Sequence, residues 1–161
     1  MTEVGFEDCF RQHFARLVAL AGAMTADVEA GHDIAQEAFV RLHRKWDDLA
    51  DHHQLGGWLT RVVSNLAIDH HRARQSRDRA VVNLSAISPS GGTGSESNHS
   101  RWSELIAPLP PRQRAIVTLH YGEDRPVAEI AEMLGVSVNT VKSALSKARD
   151  TLRQLGDQHE H

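Results

Sequence analysis

Apolar residues in this chain recur at steps of three and four and never in the sustained alternation of a half-buried strand, which restricts the fold to packed helices. Phe6, Cys9, Phe10, Phe14, Leu17, Val18 and Ala21 form one stripe. Ile34, Ala35, Ala38, Phe39, Leu42 and Trp46 form a second, and Trp58, Leu59, Val62, Val63 and Leu66 a third. The second stripe follows Asp33, which reads as a capping residue with Gln36 three positions on. The third follows Gly56-Gly57, which reads as a break. Between Ser76 and Ser100 the periodicity fades into SAISPSGGTGSESNHS, the composition of a flexible tether. The expected fold class is therefore all-α: two small helical domains, 1–80 and 104–161, joined by a flexible linker over 81–103.

The net charge of −3 conceals an uneven distribution. Residues 1–60 hold five Lys/Arg against ten Asp/Glu, whereas residues 61–79 hold five Arg against Asp69 and Asp78. Lys142, Lys147, Arg149 and Arg153 face a single acid, Asp150, over residues 137–153. Two local cationic patches can hold phosphates while the acidic remainder meets another partner, although solvated helix faces would give the same counts. No apolar run approaches the roughly 18 residues of a membrane span, and the start lacks a secretory signal, so no membrane insertion and a cytoplasmic location are expected. The single cysteine, Cys9, can form neither an internal disulfide nor a cysteine-based zinc site. The histidine pairs 52-53 and 70-71 point about 100° apart on a helix, unlike the i, i+4 ligands of a helical zinc site. No metal, cofactor or catalytic residue is read, since no phosphate loop, nucleophile elbow or catalytic carboxylate pair occurs.

The densest pattern is PVAEIAEMLGVSVNTVKSALSKARDTL. Its first helix buries Val127, Ile130, Ala131 and Leu134; Gly135 permits a tight turn; Ser137 caps a second helix that buries Val141, Leu145, Ala148 and Leu152. This is a helix-turn-helix pattern. Ser137, Asn139, Thr140, Lys142, Ser143, Ser146 and Arg149 then fall on the polar side, with short polar groups placed for base edges and cations for phosphates. The segment from Leu109, LPPRQRAIVTLHY followed by this hairpin, resembles the promoter −35-reading domain of RNA polymerase sigma factors. Similar hairpins occur in response-regulator output domains. Ala144 departs from the arginine that many members carry there.

In the first half, DIAQEAFVRLHRKW leaves Asp33, Gln36, Glu37 and Arg41 on a polar helix face, which taken bare is a solvated surface. The run is similar to the sigma family's core-binding helix, whose Asp-x-x-Gln-Glu pattern matches at Asp33, Gln36 and Glu37. GWLTRVVSNLAIDHHRARQSR resembles the family's −10-reading and strand-opening helix. There Arg61, Ser64, Asn65, Ile68 and Arg72 share one face opposite Leu59, Val62, Val63 and Leu66, and Arg74 extends the cationic track. The loop before it, Asp51 to Leu55, corresponds to the family's base-capturing loop. The chain is thus identified as a member of the extracytoplasmic-function (ECF) sigma subfamily. That resemblance implies core RNA polymerase and promoter DNA as partners, an anti-sigma protein as a further one, and no enzymatic activity. A stand-alone helix-turn-helix regulator and a helical protein-interaction adaptor remain the alternatives.

Overall fold

The computed structural model describes residues 5–49, 54–80 and 98–159, with side chains described for all of these except 71–80, 98–100 and 157–159. The described residues form helices: α1 (Phe6–Thr25), α2 (Val28–Arg44), α3 (Trp46–Leu49), α4 (Leu55–Ala80), α5 (Asn98–Ile106), α6 (Pro111–Val117), a π turn (Thr118–Gly122), α7 (Val127–Leu134) and α8 (Val138–His159).

α1 and α2 form an antiparallel hairpin. The chain reverses through Ala26, which adopts a left-handed φ of 57° and donates its N–H to the Gly22 carbonyl. Asp27 then caps α2, its carboxylate accepting from the N–H groups of Glu29 and Ala30 at 3.1 and 3.2 Å. Capping by Asp33 is therefore corrected: the helix starts almost two turns earlier, and Asp33 is an exposed residue in its middle. The reason is packing. Ala30 and Gly31 are buried, and at Gly31 an added Cβ would stand 2.5 Å from the Gly22 nitrogen, so the two backbones touch where the apolar stripe looks thin. Further along, Phe6 and Phe10 meet Phe39 edge-on, Phe14 meets it tilted, Phe6 meets Trp46 edge-on and Phe10 stacks on Phe14, which closes the outer end of the hairpin.

α4 lies across this hairpin on Leu59, Val63 and Ala67. Gly56-Gly57 is not a break, since both glycines sit in its first turn. Thr60 and Ser64 are fully buried, their hydroxyls donating to the carbonyls four residues back at 2.8 and 2.7 Å. This internal bonding lets two polar residues pack without loss.

In the second half, Pro111 opens α6 as expected, but the helix continues into a π turn. Buried Arg114 donates to the Ala107 carbonyl at 3.3 Å, tying α6 to the end of α5, and burial lowers its guanidinium pKa below the ordinary value. α7 ends at Gly135, whose φ of 67° forms the left-handed close. The expected linker 81–103 is corrected at its C-terminal end, where residues 98–103 are the first turns of α5; residues 81–97 lie outside the described residues. The two helical units pack on each other: α1 meets α5, α6 and the π turn, and α4 meets α6 and α7, so buried apolar residues run continuously from Leu17 to Leu145.

Candidate nucleic-acid interface

The second helix of the helix-turn-helix carries the most complete constellation. Ser137 caps α8 as read from the sequence, its Oγ accepting from the Thr140 N–H at 3.0 Å. Val141, Ala144, Leu145 and Ala148 are buried, which turns Asn139, Lys142, Ser143, Ser146 and Arg149 outward. Thr140 is half-buried at the edge of that surface. The arrangement offers small hydrogen-bonding groups near the helix start and cations beyond them, the order needed for base edges and then phosphates.

Two features of this surface escaped sequence reasoning. Thr140, Ser143, Ala144 and Lys147 form one wall of an open cleft of about 480 Å³ whose other wall is Pro110, just before α6, with Arg112 and Gln113 of α6. Arg112 thereby adds a cation beside Lys147, which the sequence already placed in the cationic patch of α8. The small Ala144, which departs from the family's arginine, is buried on the α8 wall of this cleft. On the opposite edge, Arg149 Nε donates to the Tyr121 hydroxyl at 3.0 Å, so the π turn holds one of the expected DNA contacts. No periodicity rule reports on a tyrosine 28 residues upstream of its partner.

On α4, Arg61 is exposed, and Asn65 and Ile68 are partly accessible, with Ile68 packed against the hydrophobic core. Ser64 is not: it has no accessible surface and faces the hairpin, because α4 buries Thr60 and Ser64 along with Leu59 and Val63. Its assignment to a DNA face is therefore corrected. The helix runs on through Arg72 and Arg74, whose side chains lie outside the described residues, as do residues 51–53 of the expected base-capturing loop. Arg61 and Asn65 are engaged. Arg61 Nη2 lies 3.6 Å from Glu132 Oε1, and Asn65 Nδ2 donates to the Met133 carbonyl at 3.1 Å, both on α7.

On α2, Asp33, Gln36 and Arg41 are exposed, and Glu37 pairs with Arg41 at 3.3 Å one turn on. Val40 stands exposed in the middle of this row, beside a groove of about 470 Å³ lined by Phe6, Phe10, Phe39 and Val40 with Gln36, His43 and Arg44 around it. The face is therefore polar with an apolar strip, where the sequence suggested polar alone. Among the described residues no three His, Cys, Asp or Glu side chains group as metal ligands, and no helix is long and apolar enough to cross a membrane.

The two helical units correspond to two known sequence families in the same order. Residues 9–77 match Sigma-70 region 2, and residues 99–152 match Sigma-70, region 4. The chain belongs to the RNA polymerase sigma factors, in the ECF subfamily. It is similar to the RNA polymerase sigma-E factor of Streptomyces avermitilis, at 30% identity over 92% of this chain and 83% of the relative. It is also similar to the ECF RNA polymerase sigma factor SigW of Bacillus subtilis, at 28% identity over 94% and 89%. Among solved structures, its fold resembles the sigma factor RpoE from Bartonella quintana in complex with the anti-sigma factor NepR, with a TM-score of 0.70 and 22% identity over 94% of this chain and 96% of that one. CnrH in complex with the cytosolic domain of CnrY has a TM-score of 0.63 and 22% identity over 95% and 88%.

Proposed function

We propose that this sigma factor binds core RNA polymerase through the outer face of α2 and places it on promoter DNA by two separated contacts. In this reading the unit from residues 1–80 grips polymerase and opens the −10 element, and the unit from 104–161 reads the −35 element. The observation that carries it is the exposure pattern of α8. Asn139, Lys142, Ser143, Ser146 and Arg149 all reach solvent in a helix capped at Ser137 and seated by a left-handed glycine turn, in a chain whose other half matches region 2. A stand-alone helix-turn-helix regulator or an adaptor would have no use for that second half.

The residues divide the labour by chemistry. Asp33, Gln36, Glu37 and Arg41 offer acceptors and donors around Val40, a mixed surface suited to a partner that must be gripped and released with each initiation. Arg61, Asn65 and Ile68, continued by Arg72 and Arg74, form the −10 surface, where cations neutralise phosphates and a base leaves the stack at a cost of a few kcal/mol. On α8, Ser137 and Thr140 order the helix start, Asn139 and Ser143 reach base edges, and Lys142, Ser146 and Arg149 meet the flanking backbone. The tether makes each contact raise the effective concentration of the other. The chain does no chemistry of its own, acts in the cytoplasm beside polymerase, and takes an anti-sigma protein as its inhibitor, as the solved relatives RpoE and CnrH are seen with NepR and CnrY.

The test is assembly with core enzyme. Gln36→Ala with Glu37→Lys should weaken binding to core polymerase at least tenfold while leaving helix content unchanged; undiminished binding would refute the α2 assignment.

A further inference from the structure

Arg149, an exposed cation of α8, is held by a neighbour from another element. Its Nε donates to the Tyr121 hydroxyl at 3.0 Å. A guanidinium carries its N–H donors in one rigid plane. With Nε committed, the remaining donors sit on the two terminal nitrogens, whose shared edge matches two oxygens of a phosphate. The same bond fixes where that edge points, because Nε is the atom at which the flexible stem joins the plane.

Tyr121 is itself placed by a specific local structure. The helix that starts at Pro111 widens into the π turn Thr118–Gly122, closed by the Glu123 N–H on the Thr118 carbonyl at 3.1 Å. A turn of that width takes up one residue more than an α-turn, and without it Tyr121 would leave the helix about 100° round the axis. The His120 ring stands edge-on to the tyrosine ring at 4.8 Å, while its Nδ1 meets the Arg125 carbonyl at 3.1 Å. Ring and backbone thus brace a tyrosine that is 48% exposed. Tyr121 and Arg149 both stand in water, which competes for each group, so their bond adds little to folding. An exposed aromatic braced from behind orients its partner more than it secures the fold.

We propose that Tyr121 is a positioning residue for the upstream promoter contact: its hydroxyl holds the Arg149 guanidinium so that the terminal nitrogens take one backbone phosphate. This rests on the reading that the outer face of α8 meets the −35 element. The gain lies in ordering. An untethered arginine samples many rotamers, and fixing one long side chain on binding lowers affinity about two- to tenfold; a guanidinium already fixed escapes that loss. Register follows as well, because phosphate contacts set the position of the side chains that reach base edges, here Asn139 and Ser143.

The test uses the full chain with core polymerase on a template selected from a randomised promoter library, its upstream block intact or replaced. Tyr121→Phe keeps the ring against His120 and removes the acceptor. It should lower affinity for the intact template about two- to tenfold while leaving both the slope of log affinity against log salt and the melting midpoint of the free chain unchanged. Arg149→Ala should lower affinity and reduce that slope by about 0.9, and in that background Tyr121→Phe should change nothing further. Undiminished affinity in Tyr121→Phe would overturn the assignment. So would an equal loss with and without Arg149, which makes the tyrosine an independent contact, or a loss accompanied by a lower melting midpoint, which makes it a structural one. An Arg149→Ala slope equal to the parent's removes the contact that Tyr121 positions, and the proposal with it. A parent equally tight on both templates would instead sink the −35 reading itself, an outcome visible without any variant.

Discussion

Gly31→Ala is the substitution whose cost can be worked most directly from the structure. The added Cβ would lie 2.5 Å from the Gly22 nitrogen, 2.7 Å from the Gly22 Cα and 3.0 Å from the Val18 carbonyl oxygen. All three are backbone atoms, so no side chain can turn aside, and α1 and α2 must part by most of an ångström at their crossing. Overpacking of this kind costs about 1–3 kcal/mol, and alanine's better helix propensity returns less than about 1. The net expectation is a loss of about 1 kcal/mol, seen as a fall in Tm of roughly 2–4 °C for a chain of this size. Two controls bracket it. Gly22→Ala would make only an ordinary 3.9 Å contact with Val28, and Gly57→Ala meets nothing within 4 Å, so neither should lower the midpoint. Because α2 also carries Gln36 and Glu37, the same variant should lose affinity for core polymerase. Thermal and urea unfolding of the three variants decide the matter: a Gly31→Ala chain as stable as its parent would refute the close crossing of α1 on α2.

Other consequences are equally concrete. Lys142→Ala and Lys147→Ala should each reduce the slope of log affinity against log salt by about 0.9 for holoenzyme on a −35 duplex, as expected for one phosphate contact apiece; an unchanged slope removes that residue from the interface. Ser64→Ala deletes a buried hydroxyl already bonded within α4, so promoter opening should be preserved with a stability change within about 1 kcal/mol, whereas Asn65→Ala should impair opening. Abolished opening in Ser64→Ala would show that the hydroxyl does reach DNA. Burial, then neighbouring Arg16, lower the pKa of His13 below its ordinary 6.5, so the unfolded chain binds the extra proton first as the solution is acidified. Stability should therefore be complete above pH 6.5 and fall below it until the folded-state pKa is passed, and His13→Gln should flatten that part of the urea-midpoint profile.

The all-helical character and the helix-turn-helix were legible because each rests on local rules that agree. Apolar spacing, a glycine able to take positive φ at 135, and a serine cap at 137 all point to one hairpin, and the polar face of α8 follows from it. The errors lie where burial is achieved by something other than large apolar groups. Gly31 and Ala30 bury the start of α2 without marking the stripe, so the helix start was placed at Asp33 instead of after Asp27. Thr60 and Ser64 are polar in sequence and buried in the fold because their hydroxyls are satisfied four residues back. The docking of α4 on α7 depends on Arg61, Asn65, Glu132 and a main-chain carbonyl, and no single-helix periodicity encodes such a contact. Val40 shows the reverse case, an apolar residue left on the surface in the α2 row proposed to meet polymerase.

The central claim concerns selection of a start site, and transcription on a randomised promoter library with core polymerase and this chain tests it directly. The account predicts enrichment of templates carrying two short conserved blocks at fixed separation, with Lys142→Ala relaxing selection in the upstream block alone. Transcripts no more selective than those of core enzyme by itself would contradict it.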